Sequence, residues 1–144
     1  MYKVVHYVFS TYKRKQVLTD EIMQSLEAIF KQICEEKGFE IICQSILVEH
    51  VHLLIKKKAS DRNEYVMKMI KGKSAYRIFK DFPSNRFEFR KLWARGYCAD
   101  EIKDKNHLMR VIAYINGQKI KGIDKRIDWK PRRLVAGFQE INHD

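Results

Sequence analysis

Residues 39–58, FEIICQSILVEHVHLLIKKK, place two apolar, β-branched runs end to end with almost nothing between them. Runs of this length and composition form strands, and so short a separation makes the second fold back on the first, here near Val48 and Glu49. An antiparallel sheet follows. Side chains alternate along a strand, so His50 and His52 share one face while Val51, Leu53 and Ile55 share the other. The expected result is an apolar face packed under helices and an open face carrying two imidazoles.

The rest of the chain supplies partners for that hairpin. KVVHYVFSTYK reads as an earlier strand. Thr19 is a good N-cap for a helix in which Ile22, Leu26, Ile29, Phe30 and Ile33 recur at helical spacing, and Gly38 stops it. A second helix spans about residues 63–82, with Val66, Met69, Ile70, Ile78 and Phe79 facing inward and Gly72 weakening it. FEFRKLWARGYCADEI mixes aromatic and charged residues and holds one or two strands. Asn106 caps a third helix, which runs to Lys121 and ends at Gly122; a polar, irregular tail follows. The order strand, helix, strand, strand, helix, strand, helix predicts an α+β fold. It is a ferredoxin-like or RNA-recognition-motif-like antiparallel sheet with helices on one face, plus the C-terminal helix. At 144 residues, with no linker or repeat, one domain is expected over residues 1–144.

Charge narrows the partner. Lys and Arg number 29 against 18 Asp and Glu, a net charge of +11 and a pI near 9.6. Solubility needs only about 2–8 charges on a small domain, so the excess points to a polyanion, with nucleic acid ahead of a membrane surface. No basic amphipathic helix, lipidation motif or apolar run of about 18 residues supports the membrane. Three cysteines, Cys34, Cys43 and Cys98, form neither a disulfide framework nor a zinc cluster. With no secretory signal in MYKVVHYVFS, a reducing, cytosolic compartment is expected.

Basic residues cluster as Lys13, Arg14 and Lys15, as Lys56–Lys58 after the histidine strand, and as Lys71, Lys73 and Arg77 on the second helix; Arg86, Arg90, Lys91 and Arg95 continue the series. Any one cluster reads equally as a solvated face. Together they suggest a DNA groove, with Tyr12, Phe87, Trp93 and Tyr97 available to stack on bases and Trp93 and Phe89 equally suited to a core.

Two features carry chemistry. Imidazoles two apart on a strand converge on one cation; on spacing alone they are equally a solvated pair. In HLMRVIAYINGQKIK, Leu108, Val111, Ile112, Ile115 and Lys119 form one stripe. Tyr114 lies off it, beside Gln118 four residues on. Such a tyrosine is either an edge-of-core ring or a nucleophile that stores bond energy as a phosphotyrosine. Tyr97 is a rival nucleophile without such a neighbour. His6 and His107 read as structural.

These residues resemble those of a known family, the small TnpA-type transposases of insertion sequences, in the HUH (histidine, hydrophobic, histidine) single-tyrosine group. EHVHLLI is similar to its DHVHLLI, with Glu49 for the usual Asp. HYVFSTYKRKQVL resembles its first strand, MKMIKGKSAYRIF its Lys-Gly-x-Ser helix, LWARGYCADEI its Trp-x-x-Gly-Tyr strand and YINGQ its tyrosine helix. The resemblance implies Tyr114 as nucleophile. It implies His50, His52 and Gln118 as ligands of Mg2+ or Mn2+, and cleavage of single-stranded DNA bearing subterminal hairpins. It also implies a homodimer, in which the tyrosine helix can serve the partner's site. The alternatives are a binding module without catalysis and a domesticated repeat-hairpin nuclease.

Overall fold

Tyr2–Ser10 forms β1, and its register against the hairpin organises the molecule. The structure, a computed structural model, describes residues 1–85, 87 and 90–121, with the side chains of the last helix described as far as residue 117. After β1 come a single 3-10 turn (Tyr12–Arg14), α1 (Asp20–Lys37), β2 (Glu40–Ile46), β3 (His50–Lys58), α2 (Asn63–Asp81), β4 (Cys98–Glu101) and α3 (Lys105–Lys121). The four strands pair antiparallel in the order β2-β3-β1-β4, so the two most buried strands are central. This is the expected α+β fold, in the expected element order.

In an antiparallel pair, residues directly opposite share a face. Val5 lies opposite Ile55, Tyr7 opposite Leu53 and Phe9 opposite Val51; these six are buried beneath α1 and α2. Ile22, Leu26, Ile29, Phe30 and Ile33 of α1 meet them, as the helical spacing requires. On α2 the buried apolar residues are Val66, Met67, Ile70 and Ile78. Val66, Ile70 and Ile78 are inside as expected and Phe79 packs at the edge of the core, while Met67 is buried in place of Met69. Burying each such side chain contributes about 1.5–3 kcal/mol.

The caps follow local chemistry. Thr19 Oγ1 accepts from Ile22 N, and Gly38 closes α1 at φ +80, a conformation costly for any residue with a Cβ. For α3 the cap is Asp104, whose Oδ1 accepts from His107 N at 2.8 Å, in place of the expected Asn106. Asp104 immediately precedes the first helical residue, where a side-chain oxygen reaches the third amide.

The opposite face of the sheet is also covered. Val111 and Ile115 of α3 pack on Leu54, with Val4, Ile42 and Cys43 around them. The sheet therefore lies between α1 and α2 on one side and α3 on the other, and the open face expected of β3 is closed. Among the described residues no helix is long and apolar enough to cross a membrane. The expected stop at Gly122, the tail, Arg86 and Phe89 lie outside the described residues.

Candidate active site

The closed face holds three histidines. Val8 lies opposite His52, Ser10 opposite His50 and Leu54 opposite His6, so β1 and β3 direct all three imidazoles toward α3. Each is 0% exposed. That corrects the expectation of a solvent-facing pair, and the cause is α3 packing over them. The His50 and His52 rings lie 5.1 Å apart, centroid to centroid. Tyr114 of α3 meets His52 and His6, its ring 5.7 Å from the first and 6.4 Å from the second. Nε2 of His50, Nε2 of His52 and Oη of Tyr114 are all closed off from solvent. Tyr114 is thus not on a polar side of its helix. It packs against Val8 and Cys98 and joins the Leu54, Val111 and Ile115 cluster. The contact is made within one chain.

Two imidazoles are held at Nδ1. His6 Nε2 and His52 Nδ1 are 3.0 Å apart, with the rings stacked at 5.2 Å. His50 Nδ1 lies 3.3 Å from Oε1 of Glu49, whose Oε2 lies 3.8 Å from Arg14. Glu49 is itself nearly buried. The carboxylate that departs from the usual Asp therefore still reaches the adjacent histidine. The partner of His6 is 46 residues away, and the local signal for it is the alternation of β1, which puts His6 and Val8 on one face. Thr11 fixes the basic turn to this site. Its backbone N–H donates to Glu49 O, and its hydroxyl, 2.7 Å from Lys15 O and 3.2 Å from Glu49 O, donates to the nearer carbonyl. Lys13 and Arg14 adopt positive φ there, 57° and 52°.

The other predicted residues are scattered. Lys13, Lys15, Lys73 and Arg95 are exposed, and Lys56 is half-buried with its ammonium over the Tyr2 ring. Lys71 is turned inward, donating to Ala94 O at 2.8 Å and Gly96 O at 2.7 Å. Close by, Trp93 Nε1 donates to Ser74 Oγ at 2.9 Å. The Lys-Gly-x-Ser segment thus clamps the Trp-x-x-Gly loop, and two of the three Lys71 donors are occupied inside the fold. Arg77 reaches Gln32 and Asp81. With Lys73, Lys37 and the exposed Tyr76 it lines a groove of about 770 Å³ between α1 and α2, on the sheet side away from the histidines. Tyr97 packs with Tyr7 against the α1 and α2 core, which separates the rival nucleophile from the imidazoles. His107 is used at the start of α3, where Nδ1 accepts from Lys103 N. The side chain of Gln118, one turn beyond Tyr114, lies outside the described residues.

A histidine pair and one tyrosine on a ferredoxin-like sheet suit one known protein group, and direct comparison agrees. The family model described as Transposase IS200 like matches residues 2–118. The chain belongs to the IS200-like transposases. The ISDra2 transposase TnpA of Deinococcus radiodurans is 29% identical over 118 residues, covering 81% of this chain and 84% of that protein. The crystal structure of a candidate transposase from the same organism matches at a TM-score of 0.67 and 29% identity, over 82% of this chain and 92% of that one. A REP tyrosine transposase bound to a REP hairpin shares the fold, with a TM-score of 0.64 at 17% identity, over 83% of this chain and 67% of that one.

For this transposase the donor set available to a cation is two imidazoles. Among the described residues no group of three or more His, Cys, Asp or Glu could hold a metal ion. The His52 and Tyr114 rings lie 5.7 Å apart, and the Tyr114 phenol oxygen and both Nε2 atoms are buried. A divalent cation fits such a pair if oxygens complete its shell, from an amide such as that of Gln118, from water or from a phosphate.

Proposed function

We propose that this transposase cleaves and rejoins single-stranded DNA at insertion-sequence ends, with Tyr114 as nucleophile. The supporting observation is the meeting of the Tyr114 ring with His52 at 5.7 Å on a face shared with His50. Oη attacks the scissile phosphorus and gives up its proton. The P–O3′ bond breaks and the departing 3′ oxygen takes a proton. The products are a 5′-phosphotyrosine and a free 3′-hydroxyl. Rejoining reverses the exchange: a 3′-hydroxyl attacks the phosphotyrosine and releases the phenol. Keeping the bond energy in the ester makes the exchange reversible without an external energy source.

His50 and His52, with Gln118 as third ligand, would hold Mg2+ or Mn2+. When bound, the cation polarises the phosphate and neutralises charge that builds up in the transition state. Glu49 orients His50 for that task. Arg14, beside Glu49, and its neighbours Lys13 and Lys15 would meet the DNA backbone, and Arg95, Lys56 and Lys73 would add sequence-independent attraction. A hairpin near each DNA end is the substrate feature, and a homodimer handles two ends. Because the reacting atoms are closed from solvent, DNA reaches them only when α3 moves off the sheet.

The test mixes protein with labelled hairpin-bearing single-stranded DNA and Mn2+ and resolves the products on a denaturing gel. A covalent adduct is expected from the wild type and none from Tyr114→Phe. His50→Ala removes cleavage and leaves hairpin binding within a few-fold. Binding without any adduct would identify a non-catalytic module and overturn the reading.

A further inference from the structure

We propose that His6 is a positioning residue, which accepts a hydrogen bond from His52 Nδ1–H and so leaves His52 Nε2 with a lone pair able to ligate a cation. This rests on the reading of His50 and His52 as cation ligands and adds a residue to it.

The geometry is specific. His6 and His52 are diagonal neighbours on central antiparallel strands, since His6 lies opposite Leu54 and His52 opposite Val8. Their ring nitrogens are 3.0 Å apart, a normal hydrogen-bond length, and both rings are 0% exposed. A neutral imidazole carries one proton, and which nitrogen holds it is set by the partner of the other. A bond at Nδ1 therefore decides what Nε2 can do. If His52 donates from Nδ1, Nε2 is an acceptor able to ligate a cation. If His52 accepts there, Nε2 carries hydrogen and cannot. The near-parallel stacking, 22° between ring planes, also restricts rotation of the His52 ring. Glu49 plays the corresponding part at His50 with a carboxylate, which can only accept when ionised. Each imidazole is then held at Nδ1, and both Nε2 atoms are buried, with the His52 ring 5.7 Å from that of Tyr114. Groups that hold a ligating histidine in this way typically change metal affinity by about 10–100-fold when removed.

Two variants separate the hydrogen bond from packing. His6→Phe keeps a ring of similar size without the nitrogen; His6→Gln returns an amide at about the reach of Nε2. Two measurements are made on the full chain. Long-range 1H–15N correlation reads the tautomer of His52 without any metal; the expected result is Nδ1–H in the wild type and a mixture in His6→Phe. Titration of the free Mn2+ signal by electron paramagnetic resonance reads affinity. His6→Phe is expected to bind about 10–100-fold more weakly, with His6→Gln recovering most of the loss and both variants still binding hairpin DNA. Wild-type His52 protonated at Nε2 overturns the proposal whatever the metal does. Equal Mn2+ affinity in His6→Phe and wild type overturns it while leaving the cation site intact. A wild type that holds no Mn2+ overturns the cation site and this role together.

Discussion

Lys71 and Lys73 sit two residues apart on one helix, yet their surroundings differ. Lys73 is exposed, whereas Lys71 donates to two carbonyls of the loop before β4. Lys71→Met should lower stability by about 1.5–3 kcal/mol, the usual worth of charged hydrogen bonds, and leave the salt dependence of DNA binding unchanged. Lys73→Met should leave the melting temperature unchanged. It should also flatten the plot of log K against log salt by about 0.7 if that ammonium meets a single-strand phosphate. Chemical denaturation and a salt titration read the two effects separately. Burial pushes the Cys34 thiol up to about 12. In native protein at neutral pH it should therefore resist alkylation that goes to completion after unfolding, as mass spectrometry would show.

Helix ends and helix interiors carry their own tests. Gly72 lies in the middle of α2, and a Cβ there would meet nothing within 4 Å. Gly72→Ala should stabilise the protein by about 0.5–1 kcal/mol through reduced backbone entropy of the unfolded chain. A lower melting temperature would contradict the open surroundings. Removing the α3 cap with Asp104→Ala should cost about 1 kcal/mol. It should also speed amide exchange in the first turn of α3 more than in α1, because α3 rests on a smaller apolar cluster than the one shared by α1 and α2. If DNA enters by displacing α3, hairpin DNA with a scissile strand should itself accelerate exchange in α3 relative to α1. Unchanged exchange would argue for another route to the imidazoles.

Over the described residues the sheet is closed on both sides, and Lys13, Lys15, Lys73 and Arg95 are exposed. If Lys13, Lys15, Lys56, Lys73 and Arg95 each neutralise one phosphate, log K should fall with log salt at a slope near −3.5. A slope near zero would remove electrostatics as the source of DNA affinity. The two sides of the sheet differ in what they hold. The α1 and α2 side holds the main core and the groove lined by Lys73 and Arg77; the α3 side holds the histidines and Tyr114.

Element order, strand polarity and the main core residues follow from local rules, and these are legible in residues taken a few at a time. Alternation of period two set His50 and His52 side by side. Helical spacing found the α1 stripe, and motif resemblance singled out Tyr114. What such rules cannot reach are distances across the chain. The bond between His6 and His52 depends on a register between strands 46 residues apart. The burial of all three imidazoles depends on which face α3 covers, and that was decided by the fit of Val111 and Ile115 onto Leu54. Lys71 looked like any basic residue on a basic helix until the loop before β4 folded against it. Periodicity tells a side chain which way to point, but only the packed chain determines what it meets there.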